Sequence, residues 1–282
     1  MAFFSAPEVS LSSSVQLHFA HANGFPAGSY KKLFSYLPAH WQILAKPQFG
    51  HDSELPVNSN WSNQAEELHR YVYSNSAGAP VYAVGHSFGA VISFIAACRY
   101  PASFKGVILI DPPLVTGPKR HIVKAAKLTS YIDKITPARL AQNRNTQWSA
   151  DEDLVAYFKG KALFKNMQPE CVADYVESAT AVDGNQQTLT FDAQVEADIF
   201  RNIPHNMDSF KGELNCPGVL ITGQQSEVCK EEHWQRFISQ NDIVHEEMPG
   251  GHMLPLEHPK ALAGKIAEII ASWEKQSGSR SA

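Results

Sequence analysis

The sequence predicts an α/β fold built on a mostly parallel sheet, and three observations carry that expectation. Short apolar runs alternate with amphipathic stretches near both ends of the chain, the rhythm of βαβ units. Three of the runs, 80–84, 106–110 and 218–222, are apolar almost throughout, as strands covered on both faces must be. One of them, Val81-Tyr82-Ala83-Val84, meets Gly85-His86-Ser87-Phe88-Gly89 and passes directly into Ala90–Cys98, a run long enough for a helix.

Taken in order, strands are expected at 15–20, 42–46, 80–84, 106–110, 218–222 and 243–247, and helices at 29–37, 60–75, 88–99, 229–240 and 259–274. Pro259 suits the first turn of the last helix, where its missing N–H costs nothing, and Leu262, Ile266, Ile269 and Ile270 recur at helical spacing behind it. The rhythm breaks between Pro112 and about Lys211. That stretch reads as helices without strands, at 119–135, 137–145, 151–161 and 169–178. A polar tail, Gln276 to Ala282, is expected to fray.

Gly-x-Ser-x-Gly in a strand–turn–helix context places the serine at a sharp, strained bend, and glycines flank it because Cβ atoms there would strike the strand or the helix. A serine nucleophile needs a base. Gly250-Gly251-His252, on a glycine loop after the strand 243–247, is the best-placed histidine downstream. It also needs oxyanion donors: the N–H of Phe88, which follows the serine, and the N–H of Phe25, in the glycine turn His21-Ala22-Asn23-Gly24-Phe25-Pro26 after the first strand. Asn23, Gly24 and His86 beside these turns, and Trp148 in the central helical stretch, are expected to face substrate. His51, in the segment 46–52 at a strand end, is expected to be a structural residue on the rim.

These three motifs, in this order and over nearly the whole chain, resemble the α/β-hydrolase superfamily. The resemblance implies a core of residues 1–112 and 212–282, with a helical cap at 113–211 inserted after the strand that ends at Asp111. It also implies hydrolysis through a serine-bound acyl group. In most members of the superfamily the third catalytic residue is an Asp shortly after the penultimate strand, but here that place holds Ser226, with Glu227 beside it. Asp111, 24 residues beyond Ser87, ends the strand after the elbow helix and is the other candidate acid, since strand ends on one edge of a parallel sheet converge. A group of bacterial esterases is similar in using an Asp and a Ser at these two places, which implies the set Ser87, Asp111, Ser226 and His252. Ser226 would orient the imidazole without supplying charge, and Glu227 stays open as the alternative acid.

A net charge of −4 with 24 dispersed Lys and Arg argues against nucleic acid and against an anionic membrane as partner. The four cysteines, Cys98, Cys171, Cys216 and Cys229, show no paired spacing for zinc or a disulfide framework. No run approaches the length of a membrane span, and Met1–Glu8 lacks the basic and apolar regions of a leader. The expectation is therefore a cytoplasmic serine hydrolase, monomer or homodimer, acting on a small-molecule ester with no metal and no other cofactor. Thioesterase, lactonase, carbon–carbon hydrolase and perhydrolase chemistry, and a silent ligand-binding protein, are the alternatives that the fold accommodates.

Overall fold

Alternate residues of the central strands belong to two different apolar clusters, and this period of two builds the molecule. The computed structural model describes residues 15–280; the leader expectation at Met1–Glu8 lies outside them. Along the chain, β1 (Gln16–Ala20) is followed by a short 3₁₀ turn and α1 (Lys31–Ser35). Next come β2 (Gln42–Leu44), α2 (Ser62–Asn75), β3 (Val81–His86), α3 (Phe88–Arg99) and β4 (Phe104–Ile110). Tyr82, Val84, Ile108 and Ile110 point into one cluster, while Val81, Ala83, Val107 and Leu109 point into the other with α2 and α3. Both faces of these strands are thus buried, which is why they read as unbroken apolar runs.

The chain then leaves the sheet. It forms α4 (Lys119–Ala126), α5 (Ile132–Ile135), α6 (Ala138–Gln142), β5 (Gln147–Ser149), α7 (Leu154–Lys159), α8 (Pro169–Ala179), β6 (Thr180–Asp183), β7 (Gln186–Leu189) and α9 (Ala193–Arg201). It returns as β8 (Gly218–Gly223), α10 (Glu231–Asn241), β9 (Ile243–Met248), α11 (Leu254–Glu257) and α12 (Pro259–Arg280). The large sheet has the order β2-β1-β3-β4-β8-β9 with every pairing parallel. All six expected strands lie in it. The order reverses between β1 and β3, and a switch point of this kind opens a crevice beyond the carboxyl ends of the strands.

Two expectations need correction. The segment between β4 and β8 is not purely helical: β5, β7 and β6 form a three-stranded antiparallel sheet. The overlooked signal is Asp183-Gly184-Asn185. The two-residue loop Gly184-Asn185 joins β6 to β7, and Gly184 supplies the positive φ of 58° that such hairpin turns demand. The strands are short, and Gln186-Gln187-Thr188 carries no apolar alternation to reveal them. The C-terminal helix also runs on to Arg280, where Ser277 and Ser279 hydroxyls donate to carbonyls of the preceding turn.

Candidate active site

Ser87 follows the last residue of β3 with φ 55° and ψ −118°, a strained backbone that turns the chain from strand into helix. The flanking glycines make the bend sterically possible. A Cβ on Gly85 would stand 2.4 Å from Gly89 O, and one on Gly89 would stand 2.1 Å from Ala20 O. The Ser87 N–H donates to Ile110 O at 2.8 Å, which fixes the bend against the end of β4. Phe88 opens α3, so its N–H has no acceptor within the helix.

Asp111 lies one residue beyond β4, fully buried and with φ 45°. Its N–H donates to Ile221 O at 2.8 Å, so β8 holds its backbone. Three donors converge on its carboxylate. The Gly223 N–H reaches Oδ1 at 3.2 Å, while the Ser226 hydroxyl and His252 Nδ1 reach Oδ2 at 2.5 and 2.6 Å. Glu227 stands elsewhere: its side chain is 92% exposed and its nearest charge is Lys230, 4.0 Å away. The structure thus joins both Ser226 and His252 to the Asp111 carboxylate beside the elbow, so that Ser226 orients the acid and not, as expected, the imidazole, and it leaves Glu227 in solvent.

His86 does not face a substrate. It is fully buried, and both ring nitrogens are engaged. The His252 carbonyl can only accept, so His86 Nε2–H donates to it at 2.8 Å, and the bare Nδ1 accepts the Tyr30 hydroxyl proton at 2.8 Å. The Tyr30 oxygen in turn accepts from the Ala22 N–H at 3.1 Å. One uninterrupted chain of hydrogen bonds therefore ties the glycine turn after β1, the elbow and the His252 loop together. Burial drives the His86 pKa well below 6.5, which keeps the ring in the neutral form this chain requires. Sequence reading missed Tyr30, because an aromatic in a short helix carries no sign that its hydroxyl is buried.

The glycine turn is occupied from within and from above. The Phe25 N–H, expected as an oxyanion donor, closes a turn on Ala22 O at 3.1 Å. Asn23 Nδ2 donates to Glu196 O of α9 at 2.9 Å, and a Cβ on Gly24 (φ 73°) would lie 2.4 Å from Glu196 Oε1. Arg144 holds that Glu196 carboxylate at 2.8 Å and also donates to the Tyr175 hydroxyl at 2.9 Å. A narrow cleft runs between this turn, Gln48–His51 and α9, with Asn23, Gly24, Phe191 and Glu196 in its walls. It offers about 10 Å³ of room, enough for one water.

His51 stands on the cleft wall and bonds to Phe49 O and the Asp192 N–H. Trp148 is absent from that wall. It is buried against Tyr157 and Phe158, with centroids 5.6 Å away in each case, within an aromatic cluster that includes Phe164 and Tyr175. Phe25 joins this cluster through Phe164 and Tyr175. Apolar burial thus drew Trp148 inward, away from the cleft.

Residues 19–265 match the alpha/beta hydrolase family, and the chain belongs to that family. Among characterised relatives, the monoglyceride lipase of Rattus norvegicus is 30% identical over 123 residues, 40% of this chain and 41% of that protein. The monoglyceride lipase homolog of Monkeypox virus is 34% identical over 162 residues, 51% of this chain and 58% of that protein. The chain therefore matches roughly two fifths to three fifths of the length of these relatives. The crystal structure of E-2-(acetamidomethylene)succinate hydrolase superposes with a TM-score of 0.73 at 20% identity, covering 92% of this chain and 91% of that one.

Proposed function

We propose that the protein hydrolyses carboxylic esters through an acyl-enzyme on Ser87. The observation that carries this reading is the buried Asp111 carboxylate bonded to His252 Nδ1, next to a serine held at a strained elbow. With Nδ1–H committed to Asp111, the imidazole presents Nε2 as a lone pair, the form that can accept a proton from a hydroxyl. As Ser87 Oγ bonds to the ester carbonyl carbon, its proton passes to His252 Nε2 and the carbonyl π electrons move onto oxygen. Collapse of this oxyanion expels the alkoxide, which takes the proton from the imidazolium. Water then attacks the acyl-enzyme in the same way and releases the acid.

Asp111 stabilises the imidazolium at each stage, and the Ser226 hydroxyl helps to orient the carboxylate. Phe88 N–H is the principal oxyanion donor in this scheme. Phe25 N–H contributes by sharing its hydrogen between Ala22 O and the oxyanion, a three-centre arrangement. The insert at 113–211 acts as a cap over a core of 1–112 and 212–282, in keeping with the packing of Phe164 on Phe25 and of Glu196 on Asn23. The cleft beside the glycine turn is lined by neither Ser87 nor His252, and it is too narrow to hold an acyl chain. Similarity to the monoglyceride lipases makes monoacylglycerols the natural esters to test.

The decisive experiment pairs fluorophosphonate labelling with a p-nitrophenyl ester series from two to twelve carbons. Labelling that Ser87→Ala abolishes, together with turnover of at least one ester, is expected. An unlabelled wild-type protein that binds ligands without turnover would overturn the proposal in favour of a binding role.

A further inference from the structure

Averaged over the chain, charge is slightly negative and basic residues look dispersed, but the fold gathers them. Residues 117–145 hold seven Lys and Arg against one Asp, an excess of +6 in a chain whose total is −4. Lys124, Lys134 and Arg139 of this stretch are exposed and carry no ion pair among the described residues. Lys119 and Arg120 stand at its margin, paired with Glu232 and Asp208.

The same stretch carries a concentration of exposed apolar side chains. Ile122, Leu128, Tyr131, Ile135 and Leu140 make up half of the large apolar side chains exposed among the described residues. Leu128 is 85% and Leu140 77% exposed. Around Ile122 and Tyr131 the surface forms an open depression floored by Ala125 and Ala126. Single exposed leucines are ordinary, but five large apolar groups grouped with unpaired cations on one short stretch are not.

We propose that the face formed by α4, α5 and α6 docks peripherally on an anionic phospholipid surface. Apolar side chains that enter the headgroup boundary, flanked by cations that meet lipid phosphates, are the chemistry such a surface recognises. Charge decides against a second copy of the chain, because a twofold contact would set the unpaired Lys124, Lys134 and Arg139 of one copy against those of the other. No helix among the described residues is long and apolar enough to cross a membrane, and a surface contact needs none. The surface stands independently of the chemistry assigned to Ser87.

Co-sedimentation of the full chain with vesicles of phosphatidylcholine alone, and with thirty mole per cent phosphatidylglycerol, tests the proposal at low salt. Binding to the anionic vesicles alone is expected. Each cation contributes roughly fivefold to partitioning, so Lys124→Glu, Lys134→Glu and Arg139→Glu together should weaken binding by at least on the order of a hundredfold. Leu128→Ser with Leu140→Ser should weaken it as well, with thermal melting and p-nitrophenyl acetate turnover unchanged in both variants. Equal partitioning of wild type and the charge-reversed variant would overturn the proposal. So would a stable dimer that fails to bind anionic vesicles and that the leucine variant dissociates.

Discussion

Replacing Asp111 by Asn removes a charge while keeping the shape, and the surrounding donors decide the consequence. Oδ1 accepts from Gly223 N–H, and Oδ2 accepts from Ser226 Oγ and His252 Nδ1. If the amide nitrogen of Asn takes the Oδ2 place, its N–H faces His252 Nδ1 and selects the tautomer with the proton on Nε2. That imidazole cannot accept the serine proton. The flipped amide would restore the working tautomer but set an N–H against the buried Gly223 N–H, at a cost of about 1–3 kcal/mol. The unproductive form therefore dominates by about 5- to 150-fold. Loss of the carboxylate beside the imidazolium adds to this, and the corresponding change in a serine protease triad lowers kcat by about 10⁴. Ester turnover should fall by a comparable factor, with melting little changed because Ser226 can rotate to accept from the new amide. Turnover and thermal unfolding of Asp111→Asn and Glu227→Gln are the measurements. Near-native turnover in the first, or an equal loss in the second, would refute the assignment of the acid.

Three further outcomes rest on the same geometry. Ser226→Ala removes one hydrogen bond to Asp111, and kcat should fall about fivefold, because a single neutral donor contributes about 1 kcal/mol; a loss as large as that of Asp111→Asn would contradict a supporting role. Tyr30→Phe strands the Ala22 N–H and His86 Nδ1 in the interior, so urea unfolding should show a loss of about 2 kcal/mol and turnover should drop without a matching rise in KM. His18 and His21 are buried, and desolvation holds their pKa values at about 3 and about 4. Between pH 6.5 and 4 the unfolded chain protonates both while the folded chain does not, so stability is fully present above pH 6.5 and falls on acidification. The slope is roughly 1.4 kcal/mol per pH unit for each histidine. Neither His18 ring nitrogen has a partner among the described residues, and Phe49 and Tyr71 enclose the ring. Urea titrations of His18→Phe should therefore show higher stability at pH 7 and a shallower loss down to pH 5; an unchanged slope would exclude His18 as a source of the acid lability.

What could be read from the sequence, and what could not, divides along the range of the interactions involved. The central strands β3, β4 and β8 were legible because each is a local, almost unbroken apolar run, a property that needs no knowledge of the partner strand, whereas the edge strands β2 and β9 carry polar residues and were placed by the surrounding βαβ rhythm. The elbow was legible for the same reason: Gly85 and Gly89 are demanded by contacts within a few residues and with the adjoining strand end. Asp111 was legible only as one of two acids. Choosing it over Glu227 requires knowing that β8 lies against β4, which brings Ser226 to the Asp111 carboxylate and turns Glu227 outward. The β5-β7-β6 sheet was lost because its strands are three or four residues long and mostly polar, so pairing rather than pattern forms them. His86 was misread as facing substrate, although its position next to Ser87 was plain. Its ring instead satisfies the Tyr30 hydroxyl and the His252 carbonyl, and both partners arrive from elements far away in sequence. The oxyanion turn obeys the same logic at one further remove. Its glycine was visible, and the bond from Phe25 N–H to Ala22 O is a local turn, but the seating of Glu196 over Gly24 arises only when α9 closes on β1's loop. Local sterics thus specify where a nucleophile is presented, whereas the state in which the surrounding donors are held depends on contacts the chain makes over more than a hundred residues.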